Sequence, residues 1–191
     1  EEFCNEYYIP HQVINRPEFE ISGGNVTVPN YVLLGTEVAT VPVTNVYRQT
    51  GGYAAIDGWV SVSRPSDSSR TARVELDGGV LKTTRIMGGG SVADSSGVVS
   101  EFSADGGTLR ARTSVDLSNA YPFLYGFRKA ELGAKGLTVD LNGFNVHIPQ
   151  HLTNKPGQTG RLIVVGSGNV YLSADGNDVS ELVCAGGTTR F

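Results

Sequence analysis

A glycine pair recurs along this chain at nearly constant spacing, and that spacing limits the possible folds more than any other feature. The clearest copy is Val74-Glu75-Leu76-Asp77-Gly78-Gly79-Val80-Leu81, and others surround Gly23-Gly24, Gly51-Gly52 and Gly106-Gly107. The first glycines fall at 23, 51, 78 and 106, in steps of 28, 27 and 28. A fixed period of about 20–50 residues is the mark of a solenoid. Each copy reads as strand, Gly-Gly turn, strand.

Aligned on the glycines, the copies match in residue class. Phe19, Tyr47, Val74 and Phe102 stand four residues before the pair, and Ile21, Gln49, Leu76 and Ala104 stand two before it. Val26, Ala54, Leu81 and Leu109 stand two after it. The positions between are mostly polar, as in Glu20, Arg48, Glu75 and Ser103. A period of two on each flank means strands with one buried face. Ser22, Thr50, Asp77 and Asp105 sit next to the glycines, where short polar side chains bond nearby backbone. A β-meander with Gly-Gly hairpins alternates too, but it does not place the same residue class at the same offset every 27–28 residues. Coils of a parallel β-helix do, since equivalent residues stack at roughly 4.8 Å. The expected fold is all-β, a parallel β-helix of about six coils, with Val32, Val60 and Met87 as a third inward ladder.

Residues 1–17 match no repeat, yet Tyr7, Tyr8, Ile9, Val13 and Ile14 are too apolar for a free tail. They are expected to cap the first coil or dock along its side, leaving residues 18–191 as the solenoid. Polar corner loops are expected at Arg64–Arg70 and Val92–Val98. The period loosens after Gly107, and residues 114–131 form an aromatic insertion. Strict alternation resumes around the Asn142-Gly143 turn.

Composition narrows the function classes. The 191 residues carry a net charge of −4 with no basic patch, which argues against a nucleic-acid partner. No apolar run approaches the ~20 residues of a membrane span. No signal peptide is visible, so the chain is cytosolic, mature or an excised fragment, and the repeats favour the last two. Cys4 and Cys184 lie near opposite ends. They are either unrelated thiols or a disulfide that needs the N-terminal segment to run back along the helix. Their spacing does not suit a zinc site.

The four motifs Gly-Gly-x-Leu, Phe102-Ser-Ala-Asp-Gly-Gly-Thr-Leu109, Gly136-Leu-Thr-Val-Asp-Leu-Asn-Gly143 and Gly166-Ser-Gly-Asn-Val-Tyr-Leu-Ser173, the last followed by Gly186-Gly-Thr-Thr189, occur here in order. In this the chain resembles the autotransporter-associated β-strand repeats of large bacterial secreted and surface proteins, over roughly residues 18–189. The resemblance implies a right-handed parallel β-helix, exported to the extracellular space or cell surface, acting as a passive stalk or adhesive surface. The aromatic insertion, the interruption at Asp178–Ala185 and Cys184 depart from that pattern.

Parallel β-helices also carry polysaccharide lyases and glycoside hydrolases. A hydrolase needs two carboxylates about 5–10 Å apart, and Asp77 and Asp105 occupy equivalent positions one coil apart. Turn chemistry accounts for both, and the Asn-Thr-Asp, Asp-Asp and Gly-His-Gly signatures of galacturonases are absent. No catalytic residue is therefore assigned. His147 and His151 are four apart with Pro149 between them, which reads as strand then turn with both histidines at the surface. Asp175-Gly176-Asn177-Asp178 reads as a solvated turn, because it lacks the acidic ladder of a calcium loop. No metal or cofactor is expected. The candidate ligand surface is aromatic: Trp59, which alternation turns outward or packs under the Pro65–Arg70 loop, and Tyr121, Phe123, Tyr125 and Phe127 in the insertion. In an extended segment those four share one face, which either packs on the solenoid or meets a glycan. The expected function is a non-catalytic structural or adhesive segment, with glycans or another protein as partners. The alternative is a carbohydrate-binding module of a larger extracellular enzyme.

Overall fold

The computed structural model describes residues 18–34, 43–61, 70–89, 99–115, 117–118 and 121–191. The expected N-terminal cap, Cys4 and the loops at 64–69 and 92–98 lie outside those residues. All regular structure among the described residues is strand, stacked in parallel as a β-solenoid.

The first three coils share one plan. They comprise β1 (Glu18–Ile21), β2 (Asn25–Val28) and β3 (Val32–Leu33), then β4 (Val43–Ile56) and β5 (Trp59–Ser61), then β6 (Arg70–Thr83) and β7 (Arg85–Met87). Next come β8 (Val99–Ala104), β9 (Thr108–Ala111) and β10 (Leu124–Tyr125). The chain continues through β11 (Lys129–Leu132), β12 (Leu137–Asp140), β13 (Val146–Ile148), β14 (Thr153–Asn154), β15 (Arg161–Val165) and β16 (Asn169–Leu172). It ends with β17 (Glu181–Cys184) and β18 (Thr188–Arg190). An 11-stranded sheet carries the faces on both sides of the glycine pairs. The third face is a four-stranded sheet, β10-β7-β5-β3, which marks about four turns, and β13-β16-β18 form a separate sheet beyond it.

The repeat is written into the strand registers. Ile21 lies opposite Gln49 and Asn25 opposite Tyr53, a step of 28 on both sides of the glycines. The next steps are 27, with Gln49 opposite Leu76, and 28, with Leu76 opposite Ala104. The four glycine pairs therefore stack coil on coil, with Gly78 set opposite Thr50 by a one-residue shift at the second pair. Two of the four pairs are not turns between separate strands, however. β4 and β6 run straight through Gly51-Gly52 and Gly78-Gly79, with a register irregularity around the former. Gly52 and Gly79 have φ of +67° and +69°, so the strand bends there without being interrupted. A Cβ on Gly79 would also run into the backbone of Gly51 and Gly52 one coil below.

The aligned apolar positions become inward ladders. Tyr47, Val74, Phe102 and Ala130 form one, and Ala54, Leu81, Leu109, Val139 and Val164 another, all buried. The third ladder differs from expectation by one residue. Val60 pairs with Ile86, while Met87 pairs with Ser61 and is only half-buried. Asp57 and Gly58 separate β4 from β5, but Thr84 alone separates β6 from β7. The Thr83 and Thr84 hydroxyls both bond the Gly58 carbonyl and hold this shorter corner. One residue fewer exchanges inward and outward positions, so Ile86 enters the core.

After β9 the step first lengthens and then falls from coil to coil. Thr108 to Thr138 is a step of 30, Leu137 to Leu162 one of 25, and Leu162 to Leu182 one of 20. No two adjacent coils share a step here, which is why the sequence period fades. The outer face is polar and largely self-paired. Arg48 bridges Glu18 and Glu75 at 2.6 and 2.8 Å, and Arg73 meets Glu101 at 2.9 Å.

One polar cluster lies inside. Gln49 takes a core position, accepting from the Tyr47 hydroxyl at 2.9 Å and donating to the Val80 carbonyl at 3.0 Å. Burial pushes the Tyr47 phenol well above the ordinary tyrosine range. The unfolded chain, with tyrosines near about 10, therefore loses this proton first. Tyr47's contribution is complete below that pH and lost as the medium becomes more alkaline. Tyr47→Phe is expected to cost about 1–2 kcal/mol at neutral pH by leaving Gln49 Oε1 without its donor. It should also flatten the alkaline fall in stability, measured by chemical denaturation across pH.

Candidate functional site

The aromatic insertion belongs to the stack. Leu124 lies opposite Ile86, a step of 38, whereas Thr83 to Ala111 just before it is a step of 28. Ten extra residues are thus accommodated between β9 and β10, and the chain then returns to register. Phe123 donates its N–H to the His147 carbonyl, and its own carbonyl accepts from Ile86. The Gln150 side chain acts like a neighbouring strand, accepting from Phe127 N–H and donating to its carbonyl, both at 2.9 Å. Phe123 and Phe127 are almost fully buried and Tyr125 nearly so, and Phe102 packs on Phe127 with ring centroids 5.7 Å apart. Pro122, Leu124 and Gly126 are buried as well. The four aromatics therefore do not share one face.

Tyr121 is the exception, with 58% of its surface exposed. It joins a row that crosses the third face from coil to coil. Val32 pairs with Val60, which sets Tyr31 beside Trp59, and Trp59 pairs with Arg85. The Tyr31 and Trp59 rings stack with centroids 5.0 Å apart at 15°. The Arg85 guanidinium carbon lies 6.0 Å from the Trp59 ring and 5.3 Å from the Tyr121 ring. Trp59 is therefore half-buried between Tyr31 and Arg85, and its ring face is not an open platform. The row Tyr31–Trp59–Arg85–Tyr121 spans three coil spacings, on the order of 14 Å.

Stacking sets the electrostatics of the row. Aromatic faces carry the negative end of the ring quadrupole and edges the positive end. Here the faces are turned toward one another and toward a guanidinium, a cation–π arrangement worth about 0.5–2 kcal/mol per contact. What the row offers to solvent is dominated by ring edges and hydrogen-bond donors. Behind it, burial raises the Tyr125 pKa, and the charge of Arg85 partly opposes that rise. Trp59 and Tyr121 were legible in the sequence as candidates. Tyr31 was also detectable, since it precedes Trp59 by one 28-residue step, but Arg85 follows the shortened corner and falls out of period.

The other candidate groups are held by local contacts. The Asp105 carboxylate accepts from Lys135 N–H at 2.8 Å, and Asp77 lies 3.6 Å from the Lys155 ammonium. His147 is not a surface residue. It is 8% exposed, with Nε2 2.6 Å from Ser173 Oγ, because β16 covers it. His151 is exposed, and its Nε2 meets the Gly176 carbonyl. Asn177 ties its turn to the previous coil through Leu152 N–H at 2.8 Å. Cys184 is exposed with Sγ 3.1 Å from Thr189 Oγ1. Among the described residues no three acidic, histidine or cysteine side chains cluster as a metal site, and no helix is long and apolar enough to cross a membrane. Comparisons with protein-family models, curated proteins and solved structures find no match.

Proposed function

We propose that this chain is a non-catalytic, adhesive segment of an exported bacterial surface protein, displaying a contact strip on a stiff scaffold. The observation that carries this reading is the half-exposed row Tyr31–Trp59–Arg85–Tyr121, repeated from coil to coil on one face. A solenoid holds such a row at fixed spacing because each coil is pinned by its neighbours. In its finer form the proposal includes the autotransporter-repeat relationship. It also includes a right-handed helix, a count of about six coils when the narrower C-terminal rungs are included, and residues 1–17 as an N-terminal cap. Partners are glycans or another protein, not nucleic acid.

The test is adhesion of protein-coated beads to cell and glycan surfaces. Adhesion that falls when Trp59 and Tyr121 are replaced together by alanine supports the reading, and unchanged adhesion overturns it. The second reading, a carbohydrate-binding module of an extracellular enzyme, draws on the open Tyr121 ring. A catalytic domain adjoining this segment in the full-length protein favours it. Under either reading, incubation with neutral or acidic polysaccharides is expected to release no new reducing ends or unsaturated products. Turnover that vanishes on Asp77→Asn or Asp105→Asn contradicts both.

A further inference from the structure

Arg85 stands apart from most other arginines of the solenoid. Arg48, Arg73, Arg110, Arg112 and Arg161 each reach a carboxylate within 2.6–2.9 Å. The Arg85 guanidinium has no ion pair or hydrogen bond among the described residues, and its Nε is shielded from water with no acceptor. Asp57, two residues before Trp59, is already held by Arg112 at 2.8 Å. A guanidinium held between two rings keeps its outer N–H groups for an acceptor arriving from solvent, and its planar fork suits a carboxylate. The ring edges beside it are electropositive, and the phenol and indole groups add donors. The strip thus selects for negative charge.

We propose that Tyr31, Trp59, Arg85 and Tyr121 bind a linear polysaccharide bearing carboxylates, a uronic-acid chain lying along the solenoid axis with one carboxylate on Arg85. This rests on the adhesive reading above and adds the class of ligand. Three coil spacings are longer than one sugar ring and suit several linked units. Tyr121, 58% exposed at the end of the row, can pack against the C–H groups of a pyranose, which an acidic peptide does not supply.

Calorimetric titration of the intact chain with tetragalacturonate tests this, against a neutral galactose tetramer and tetraglutamate. Tetragalacturonate is expected to bind about tenfold or more tightly than either, the margin of a charge-assisted pair, and to weaken as salt rises. Arg85→Gln should lose about that factor, and Arg85→Lys should fall between because it keeps charge without the fork. Equal binding of the neutral tetramer, or of tetraglutamate, overturns the proposal, as does undiminished binding by Arg85→Gln. If the Arg85 variants melt early, Tyr121→Ala decides, because Tyr121 is exposed: severalfold weaker binding supports the proposal, and unchanged affinity overturns it. Adhesion without tetragalacturonate binding removes this inference alone. Tetragalacturonate binding without adhesion removes only the adhesive reading.

Discussion

Leu81→Asp is expected to destabilise the protein by on the order of 4–5 kcal/mol, a large share of the stability of a typical domain. Leu81 is fully buried and sits in register between Ala54 below and Leu109 above. Aspartate there removes the apolar contacts of the ladder and places a carboxylate among hydrocarbon with no cation to meet it. Its neighbour Lys82 points outward, so Lys82→Ala should change stability by no more than about 0.5 kcal/mol. Thermal or urea unfolding of the two variants reads the contrast. A wild-type melt from Leu81→Asp would show that the second ladder does not face the core.

Phe123→Ala is expected to cost about 3–5 kcal/mol through the cavity it leaves in the fourth coil. Tyr121→Ala, two residues earlier, should cost about 1 kcal/mol at most, since it loses one cation–π contact and exposed ring surface. The two variants separate scaffold from contact surface within one segment. Adhesion should follow the opposite order, reduced by Tyr121→Ala while the fold persists. Equal stability losses at the two positions would mean that Tyr121 is also part of the core.

Legibility followed the regularity of the coils. From Phe19 to Leu109 the glycine steps of 28, 27 and 28 predict the strand registers on the two faces flanking the glycines, apart from the shift at Thr50, which pairs with Gly78. The corner at Thr84 broke that rule by one residue, which moved Ile86 into the place expected for Met87 and hid Arg85 from any periodic search. Beyond Gly107 each coil has its own length, so alternation still marks strands but says nothing of what lies opposite. His147 shows the consequence. Its outward position in an alternating strand reads as exposed, and only the coil carrying Tyr171 and Ser173 buries it. In the insertion alternation misled more fully: Leu124 takes the inward ladder position opposite Ile86, yet its neighbours Phe123 and Tyr125 are buried as well.

The ten residues accommodated between β9 and β10 leave the registers on either side undisturbed: Ala111 still faces Thr83, and Leu124 still faces Ile86. Pitch and girth are therefore independent in this molecule. Backbone pairing between coils fixes the rise, while the path around a corner is free to lengthen. Foreign sequence grafted beside the exposed Leu117, past the bridge that ties Val115 to Val146, would be carried at a defined height in the stack beside the Arg85 row. The chain can thus acquire new surface chemistry by local growth, without recalibrating the stack that supports it.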